Sequence, residues 1–262
     1  MRIALASIDQ LWEQKDGNLQ LCRSAAQRAA ARGAELIVFP EMTLTGFTMN
    51  AEAIAEPAHA SSSIASMAMI ARELQVAVAV GVVLQGRTRP ENTLVVIDQH
   101  GAEVARYAKI HPFSHADEHE HYAGGDAAVH ARVGDLVLGL TICYDLRFAE
   151  LYNALARSCD AILVIANWPA ARIDHWRALL IARAIECQCY VVGVNRTGSD
   201  GNGIAYAMSS YVVDPRGVLL EPDAEDGDIA VFTLDAALVA SYRRAFPVLQ
   251  DRRPALYREL LR

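Results

Sequence analysis

A run of seven mostly aliphatic residues, Leu136 to Ile142, ends directly at Cys143. Such a short apolar run predicts a buried β-strand. The polar residues that follow begin what we interpret as a helix from Phe148 to Arg157. A cysteine at this junction lies near the unpaired N–H groups of the helix start, a position that lowers the pKa of a thiol and offers donors to an oxyanion. The alternative is a small buried hydrophobic residue at a strand end.

Two further segments carry residues suited to the same chemistry. The short apolar run from Leu36 to Phe39 ends at Pro40, which cannot continue a central strand, so Glu41 projects from a strand end. A carboxylate there is either solvated or a desolvated base with a raised pKa. Lys109 lies between apolar neighbours just before a proline-containing loop. A single lysine is usually a surface residue, so neither position is decisive alone.

Taken together, three motifs occur in a specific order: Phe39-Pro40-Glu41, then Tyr107-x-Lys109-x-His111, then Cys143-Tyr144-Asp145-x-Arg147-Phe148. This set resembles the nitrilase superfamily of carbon–nitrogen hydrolases, and the resemblance covers essentially the whole chain. Within that superfamily the chain is most similar to the ω-amidase branch, which deamidates short α-keto acid amides.

The resemblance implies a role for each matching residue. Cys143 is expected to be the nucleophile and Glu41 the general base, while Lys109 and the Tyr144 N–H stabilise the oxyanion. A second glutamate is expected to position the lysine or the substrate nitrogen. Counting back from the Gly125-Asp126 turn assigns this role to Glu118, with Glu120 as the alternative.

The substrate-binding residues are less constrained. A keto-acid amide carries a carboxylate, which an arginine fork would bind. The candidates Arg147, Arg172 and Arg196 lie in or beside matching motifs. For Arg147 an ion pair with Asp145 or Glu150 is an equally open interpretation. Trp168 and Phe47 are candidate walls of the pocket, next to Tyr144.

The pattern of apolar runs predicts strands alternating with helices and hence an α/β fold. The expected strands are 2–8, 36–39, 76–84, 92–98, 103–107, 136–142, 161–166, 190–195, 205–213 and 229–233, and the expected helices are 18–33, 61–74, 148–157, 174–188 and 234–241. The pattern alone does not separate a single doubly wound sheet from two stacked sheets. The resemblance implies the latter, a four-layer αββα sandwich. No linker interrupts residues 1–262, so we expect a single domain.

The composition excludes several classes of protein. The net charge is −7 and no basic cluster occurs, which argues against a nucleic-acid partner. No apolar run approaches the roughly 18 residues of a membrane helix, and the first residues read as a strand rather than a signal peptide. We therefore expect a cytoplasmic enzyme. The five cysteines contain no Cys-x-x-Cys pair and are interpreted as free thiols.

The segment from Ser114 to Tyr122 contains three histidines and three acidic residues, a composition typical of metal sites. An extended strand would split these residues between two faces, so we interpret the segment as a polar loop bordering a wet pocket. We expect no metal and no cofactor.

The function that the resemblance implies is hydrolysis of a small-molecule amide, namely a short ω-amide of a dicarboxylic or α-keto acid, with release of ammonia through a thioester. An N-carbamoyl hydrolase, a nitrilase and a binding protein on an inactive scaffold remain alternatives. A homodimer is also expected, because the family pairs through helices near the nucleophile and through C-terminal segments. The apolar residues thought to be exposed there are Leu151, Tyr152, Phe246, Val248 and Leu249.

Overall fold

The computed structural model describes residues 1–260, which form two large mixed β-sheets with helices against their outer faces. The strands, in chain order, are β1 (Arg2–Ala6), β2 (Leu36–Val38), β3 (Ala77–Gln85), β4 (Pro90–Ile97), β5 (Glu103–Ala108), β6 (His130–Val133), β7 (Leu136–Ile142), β8 (Ala161–Ala166), β9 (Tyr190–Asn195), β10 (Gly198–Ser199), β11 (Ala205–Tyr206), β12 (Tyr211–Val213), β13 (Ala224–Asp226) and β14 (Ile229–Thr233).

The α-helices are α1 (Lys15–Ala31), α2 (Ala51–Ile54), α3 (Ser62–Leu74), α4 (Glu118–His121), α5 (Ala149–Leu155), α6 (Ile173–Cys187), α7 (Ala236–Ala245) and α8 (Pro254–Leu260). Short 3₁₀ turns occupy Ser114–Ala116, Cys143–Arg147, Ala170–Arg172 and Val248–Gln250. Among residues 1–260, no helix combines the length and the apolar character needed to cross a bilayer.

The larger sheet has seven strands in the order β13-β14-β1-β2-β3-β4-β5, and the second has five in the order β12-β9-β8-β7-β6. Strands at the centre of each sheet run parallel, namely β1, β2 and β3 in one sheet and β7, β8 and β9 in the other. Antiparallel strands complete the edges, including the hairpin of β4 and β5. The parallel strands bring several strand ends to the same edge, which is where the candidate site lies.

Alternating residues of the larger sheet enter two different cores. Ile3 and Leu5 pack between the two sheets with residues of β7 and β8. Ala4 and Ala6 face the other way and pack against α1 and α3. Helices α5 and α6 cover the outer face of the five-stranded sheet. The layers therefore follow the order αββα, and the fold expected from the family resemblance is confirmed.

Two predicted elements differ from the structure. The expected strand 205–213 is divided into two strands. β11 pairs with β10 in a separate two-stranded sheet, and β12 belongs to the five-stranded sheet. The division falls at Ser209 and Ser210, whose hydroxyls bond Asn195 of the neighbouring strand instead of continuing a regular ladder. The last expected helix, 234–241, runs on to Ala245, and the C-terminal segment after it forms a further helix. This helix, α8, begins at Pro254, because proline is well tolerated in the first turn of a helix.

Candidate active site

Three charged side chains meet in the interior at the edge where strands of the larger sheet end. The ammonium Nζ of Lys109, directly after β5, lies 2.8 Å from Oε1 of Glu41 and 2.8 Å from Oε2 of Glu118. All three residues are at most 1% exposed. Burial acts to lower the pKa of Lys109, but the charges of Glu118 and Glu41 raise it above its ordinary value. The lysine therefore stays charged in the interior.

The histidine-rich segment presents one acidic residue to this cluster. Glu118 begins the short helix α4 and turns inward, where it also accepts a hydrogen bond from the Phe113 N–H. Glu120, the alternative second glutamate, has a side chain 67% exposed. The remaining acidic residues and histidines of the segment lie on the surface. Across residues 1–260, no three His, Cys, Asp or Glu side chains are arranged to hold a metal ion.

Cys143 lies at the end of β7, where the backbone turns sharply. Its φ is +46°, a left-handed conformation that is uncommon for a non-glycine residue and concentrates at functional sites. Its Sγ contacts the carbonyl oxygen of Asn167 at 3.9 Å, and part of the residue remains accessible. Burial of the thiol and the nearby Glu41 charge raise the pKa of Cys143 well above its ordinary value.

This direction corrects the expectation that the strand–helix junction lowers the pKa of the thiol. The five-residue 3₁₀ turn Cys143–Arg147 supplies only a short helix start, and the neighbouring Glu41 carboxylate opposes a second negative charge. Lys109 acts to lower the pKa, but more weakly than these two effects combined. The thiol thus needs a base when it reacts.

The turn that carries Glu41 depends on a close approach of two backbones. A Cβ at Gly81 of β3 would lie 2.5 Å from the Met42 nitrogen and 2.9 Å from the Pro40 carbonyl oxygen. Thr43 stabilises the turn, because its hydroxyl donates to the Pro40 carbonyl and accepts from the Gly81 N–H at 2.9 Å. Only glycine leaves room for this approach.

A second buried carboxylate joins the lysine segment to the cysteine segment. Asp145 accepts hydrogen bonds from the Tyr107 hydroxyl at 2.7 Å, from the Ile142 N–H at 3.0 Å and from both the N–H and the ring of His111. Each of the two carboxylate oxygens of Asp145 therefore accepts two hydrogen bonds. Within residues 1–260, Arg147 forms no ion pair with Asp145 or with Glu150, so that structural alternative for Arg147 is wrong.

Aromatic rings and two arginines lie around Cys143. The Arg147 guanidinium lies 4.9 Å from the Trp168 ring centroid, and Arg172 lies 5.7 Å from that of Phe113. Tyr144 packs against Phe113 at 4.8 Å. The ring of Phe47 faces the Lys109 ammonium at 5.3 Å. The structure thus gathers the four predicted substrate-binding residues, namely Tyr144, Arg147, Trp168 and Phe47, around the three charged residues and Cys143.

Arg196 does not belong to this group, which corrects its candidacy as a carboxylate ligand. It is fully buried, and one terminal nitrogen donates to the Asp9 carboxylate at 2.9 Å and to the Gln10 carbonyl at 3.1 Å. Its ring neighbour is Tyr206, at 4.8 Å. Arg196 is held by the protein itself, because Asp9 already supplies the opposite charge.

The sequence analysis missed two amides that contact the Glu41 carboxylate. Asn92 of β4 donates from Nδ2 to Glu41 Oε1 at 2.8 Å and to Glu118 Oε1 at 2.9 Å. Asn167, which directly follows β8, donates from its backbone N–H to Glu41 Oε2 at 2.9 Å. The available signal was a polar amide at the end of an apolar run, since Asn92 begins the expected strand 92–98 and Asn167 follows the run 161–166. A buried amide at such a position requires partners.

Comparison with known proteins places this geometry in a family. A family model described as carbon-nitrogen hydrolase matches residues 2–244. An omega-amidase named YafV from Escherichia coli (strain K12) is 36% identical over 96% of both chains. A 2-oxoglutaramate amidase from Bacillus subtilis (strain 168) is 30% identical, over 87% of this chain and 88% of the relative.

Solved structures agree with the sequence comparison. The CN-hydrolase superfamily protein XC1258 from Xanthomonas campestris has a TM-score of 0.88 at 32% identity, covering 97% of both chains. An amidase from Nesterenkonia sp. AN1 has a TM-score of 0.86 at 27% identity, covering 99% of both. The chain therefore belongs to the carbon–nitrogen hydrolase family, within the nitrilase superfamily. Its similarity to ω-amidases, expected from the sequence motifs, is confirmed.

Proposed function

We propose that the enzyme hydrolyses the amide bond of short ω-amides of dicarboxylic or α-keto acids and releases ammonia. The observation that carries the proposal is the buried cluster of Glu41, Lys109 and Glu118 beside Cys143 in its left-handed conformation. The curated relatives named as omega-amidase and 2-oxoglutaramate amidase support the substrate class.

In the proposed first step, Cys143 Sγ attacks the amide carbon while Glu41 accepts the thiol proton. The S–H bond breaks, an O–H bond forms on the carboxyl, and the carbonyl electron pair moves onto oxygen. The Lys109 ammonium and the Tyr144 N–H stabilise this oxyanion. The raised pKa of Cys143 supports proton transfer during attack, since the free thiol is not already ionised.

In the second step the tetrahedral intermediate collapses. The C–N bond breaks, the leaving nitrogen takes the proton from Glu41 and ammonia departs, leaving a thioester on Cys143. Glu41 then removes a proton from water, whose oxygen attacks the thioester carbon. The C–S bond breaks, the acid is released, and the proton on Glu41 returns to Cys143 Sγ. Glu118 holds Lys109 in place throughout, through its bonds to Nζ of 2.8 and 3.1 Å. Burial raises the pKa of the Glu118 carboxyl, and Lys109 opposes this effect.

The proposed substrate carries a carboxylate in addition to the amide. Arg147 and Arg172 are the candidate ligands for it, because neither forms an ion pair with an acidic side chain within residues 1–260. Each guanidinium rests on an aromatic ring, Trp168 for Arg147 and Phe113 for Arg172. One terminal nitrogen of Arg147 lies 3.4 Å from His175 Nδ1, a neutral partner that leaves the charge of Arg147 uncompensated. Arg196 is excluded from this role by its bond to Asp9.

A nitrilase or an N-carbamoyl hydrolase would use the same cysteine, glutamate and lysine, so these residues do not separate the branches. A binding protein on an inactive scaffold would not require a buried lysine between two carboxylates. Burying these charges costs stability, and a scaffold without chemistry would have no reason to keep them. We favour an amidase, because relatives that match 96% of this chain carry the name omega-amidase.

The test is a substrate panel scored by ammonia release. It compares α-ketoglutaramate and succinamate with neutral amides of equal length, N-carbamoyl amino acids and simple nitriles. The proposal expects the highest kcat/KM for the two ω-amides. Faster turnover of a nitrile or an N-carbamoyl compound would reject the substrate class while leaving the proposed nucleophile in place.

We further propose that residues 1–262 act as one domain in the cytoplasm and as a homodimer. The core shared between the two sheets supports one domain. The five free cysteines are suited to a reducing compartment. For the dimer, Phe246 is 57% exposed and Val248 also lies on the surface, whereas Leu151 and Tyr152 pack inside the chain against α6 and cannot serve as proposed contacts.

A further inference from the structure

Asn92 links the two carboxylates of the charged cluster to each other. Its Nδ2 donates to Oε1 of Glu41 at 2.8 Å and to Oε1 of Glu118 at 2.9 Å, and the residue is 1% exposed. Its backbone carbonyl accepts the Lys109 N–H at 2.9 Å. Strand pairing thus places the amide beside the lysine, and the same two carboxylates receive both the ammonium and the amide.

The two oxygens of Glu41 have different surroundings. Oε1 accepts from Lys109 and from Asn92, both at 2.8 Å. Oε2 accepts from the Asn167 N–H at 2.9 Å. The carbonyl of the same Asn167 residue contacts Cys143 Sγ at 3.9 Å, so Oε2 lies on the cysteine side. Two donors occupy the lone pairs of Oε1, whereas Oε2 retains one for a proton.

The Asn92 side chain is poorly explained by stability alone. Its Oδ1 is buried and has no hydrogen-bond partner among the described residues. A buried polar atom without a partner is unfavourable, and an apolar residue would avoid it. The amide is therefore retained for its donors. Local departures from stable packing are expected at functional sites.

We propose that Asn92 is a positioning residue that occupies Glu41 Oε1 and ties it to Glu118, so that Oε2 is the oxygen that takes the Cys143 proton. This inference rests on the proposed function and deepens it. Asn92 touches neither the thiol nor the reacting carbon. It acts through the orientation of the Glu41 carboxylate, while Lys109 supplies the positive charge.

Asn92→Ala removes both donors and frees the Glu41 carboxylate to rotate. We expect kcat to fall by about 10²-fold, as for a small misplacement of a catalytic group, with KM changed by less than about threefold. Alkylation of Cys143 by iodoacetamide, which requires no substrate, should slow in parallel. Thr93→Ala is the matched control, because Thr93 is equally buried on the same strand and its hydroxyl bonds only the Glu91 carbonyl.

Asn92→Asp gives a second, independent readout. The introduced carboxyl can donate a hydrogen bond only when protonated, and it faces Glu41, Lys109 and Glu118 directly, with Cys143 and Tyr122 beside the same carboxylates. The ratio of its kcat to that of the wild type should therefore rise as the pH falls. A ratio that stays constant over the pH range would mean that the donor at this position does not act on the Glu41 carboxylate.

The proposal is overturned by three results. The first is a folded Asn92→Ala variant with kcat within about threefold of wild type. The second is an equal loss in Thr93→Ala. The third is a pH-independent ratio for Asn92→Asp, which decides the question even if the alanine variant fails to fold. A wild type without amidase activity would instead reject the proposed function, while the alkylation rates would still test the orientation of Glu41.

Discussion

The ring Nδ1 of His111 donates to the Asp145 carboxylate at 2.7 Å, and this bond joins the segment that carries Lys109 to the turn that begins at Cys143. The His111 ring also stacks on Phe148 at 3.8 Å. Lys109 follows a strand of the seven-stranded sheet and Cys143 follows a strand of the five-stranded sheet. Their relative position thus depends on the hydrogen bonds of the buried Asp145 carboxylate.

Asp145→Asn should weaken both stability and catalysis. The new amide would direct two protons at donors that now point to the carboxylate, including the Tyr107 hydroxyl and the Ile142 N–H. We expect a loss of about 3 kcal/mol in the free energy of unfolding and at least a tenfold fall in kcat. Denaturant titration and steady-state kinetics measure these effects. Asp135→Asn, on an exposed turn, is the control and should change neither.

Removal of an arginine that is proposed to bind the substrate carboxylate should affect acid substrates selectively. For Arg147→Ala or Arg172→Ala we expect a loss of about 2–4 kcal/mol in kcat/KM for succinamate and much less for a neutral amide of equal length. Arg132→Ala, at an exposed position, is the control. Equal losses for both substrates would mean that the arginine stabilises the aromatic wall and does not bind the carboxylate.

Glu56 should contribute stability in a defined pH range. Burial acts to raise the pKa of this carboxyl, but hydrogen bonds from Lys15, Ser61 and Ser63 lower it from 4.5 to about 2. Because the folded-state value is the lower one, the stabilisation is present above pH 4.5 and is lost as the pH falls towards 2.

At pH 7, the free energy of unfolding of Glu56→Gln should therefore be about 1–2 kcal/mol lower than that of the wild type. This difference should shrink as the pH falls. Exposed Glu52→Gln is the control. Urea titrations at several pH values measure the difference in the free energy of unfolding between variant and wild type. A difference that stays constant down to pH 2 would contradict the role of the ionised carboxylate.

The predicted dimer is tested by light scattering at micromolar concentration, which should give about twice the 28.5 kDa of one chain. Phe246→Asp should shift the mass towards the monomer, because it places a charge on the exposed apolar tail. Met69→Asp, at an exposed apolar residue of α3, is the control and should remain dimeric. A wild-type mass of one chain would reject the dimer.

The sequence predicted the central strands well. The runs 136–142, 161–166 and 190–195 match β7, β8 and β9 at both ends, because these strands are buried on both faces and are bounded by polar residues. The edge strand β6 was missed. It is four residues long, and His130 and Arg132 interrupt its apolar pattern. Edge strands have one unpaired side, so the sequence preference there is weaker.

The candidate site was predictable where a motif fixed the residue. Glu41, Lys109, Glu118 and Cys143 meet as the motifs implied. The pairing of Arg196 with Asp9 could not be anticipated, because it joins residues 187 positions apart. The raised pKa of Cys143 depends first on burial and then on the charge of Glu41, a carboxylate from the other sheet. Such long-range contacts exist only after both sheets have stacked.

The most direct test of the central claim is ammonia release by Cys143→Ala, with Cys189→Ala as the matched control. Cys189 is fully buried away from the charged cluster, so its loss costs at most about 1–2 kcal/mol of packing. We expect Cys143→Ala to keep the wild-type fold by circular dichroism and to lose at least about 10⁴-fold in kcat. The control should retain activity. A folded Cys143→Ala variant that still releases ammonia at near the wild-type rate would contradict the account.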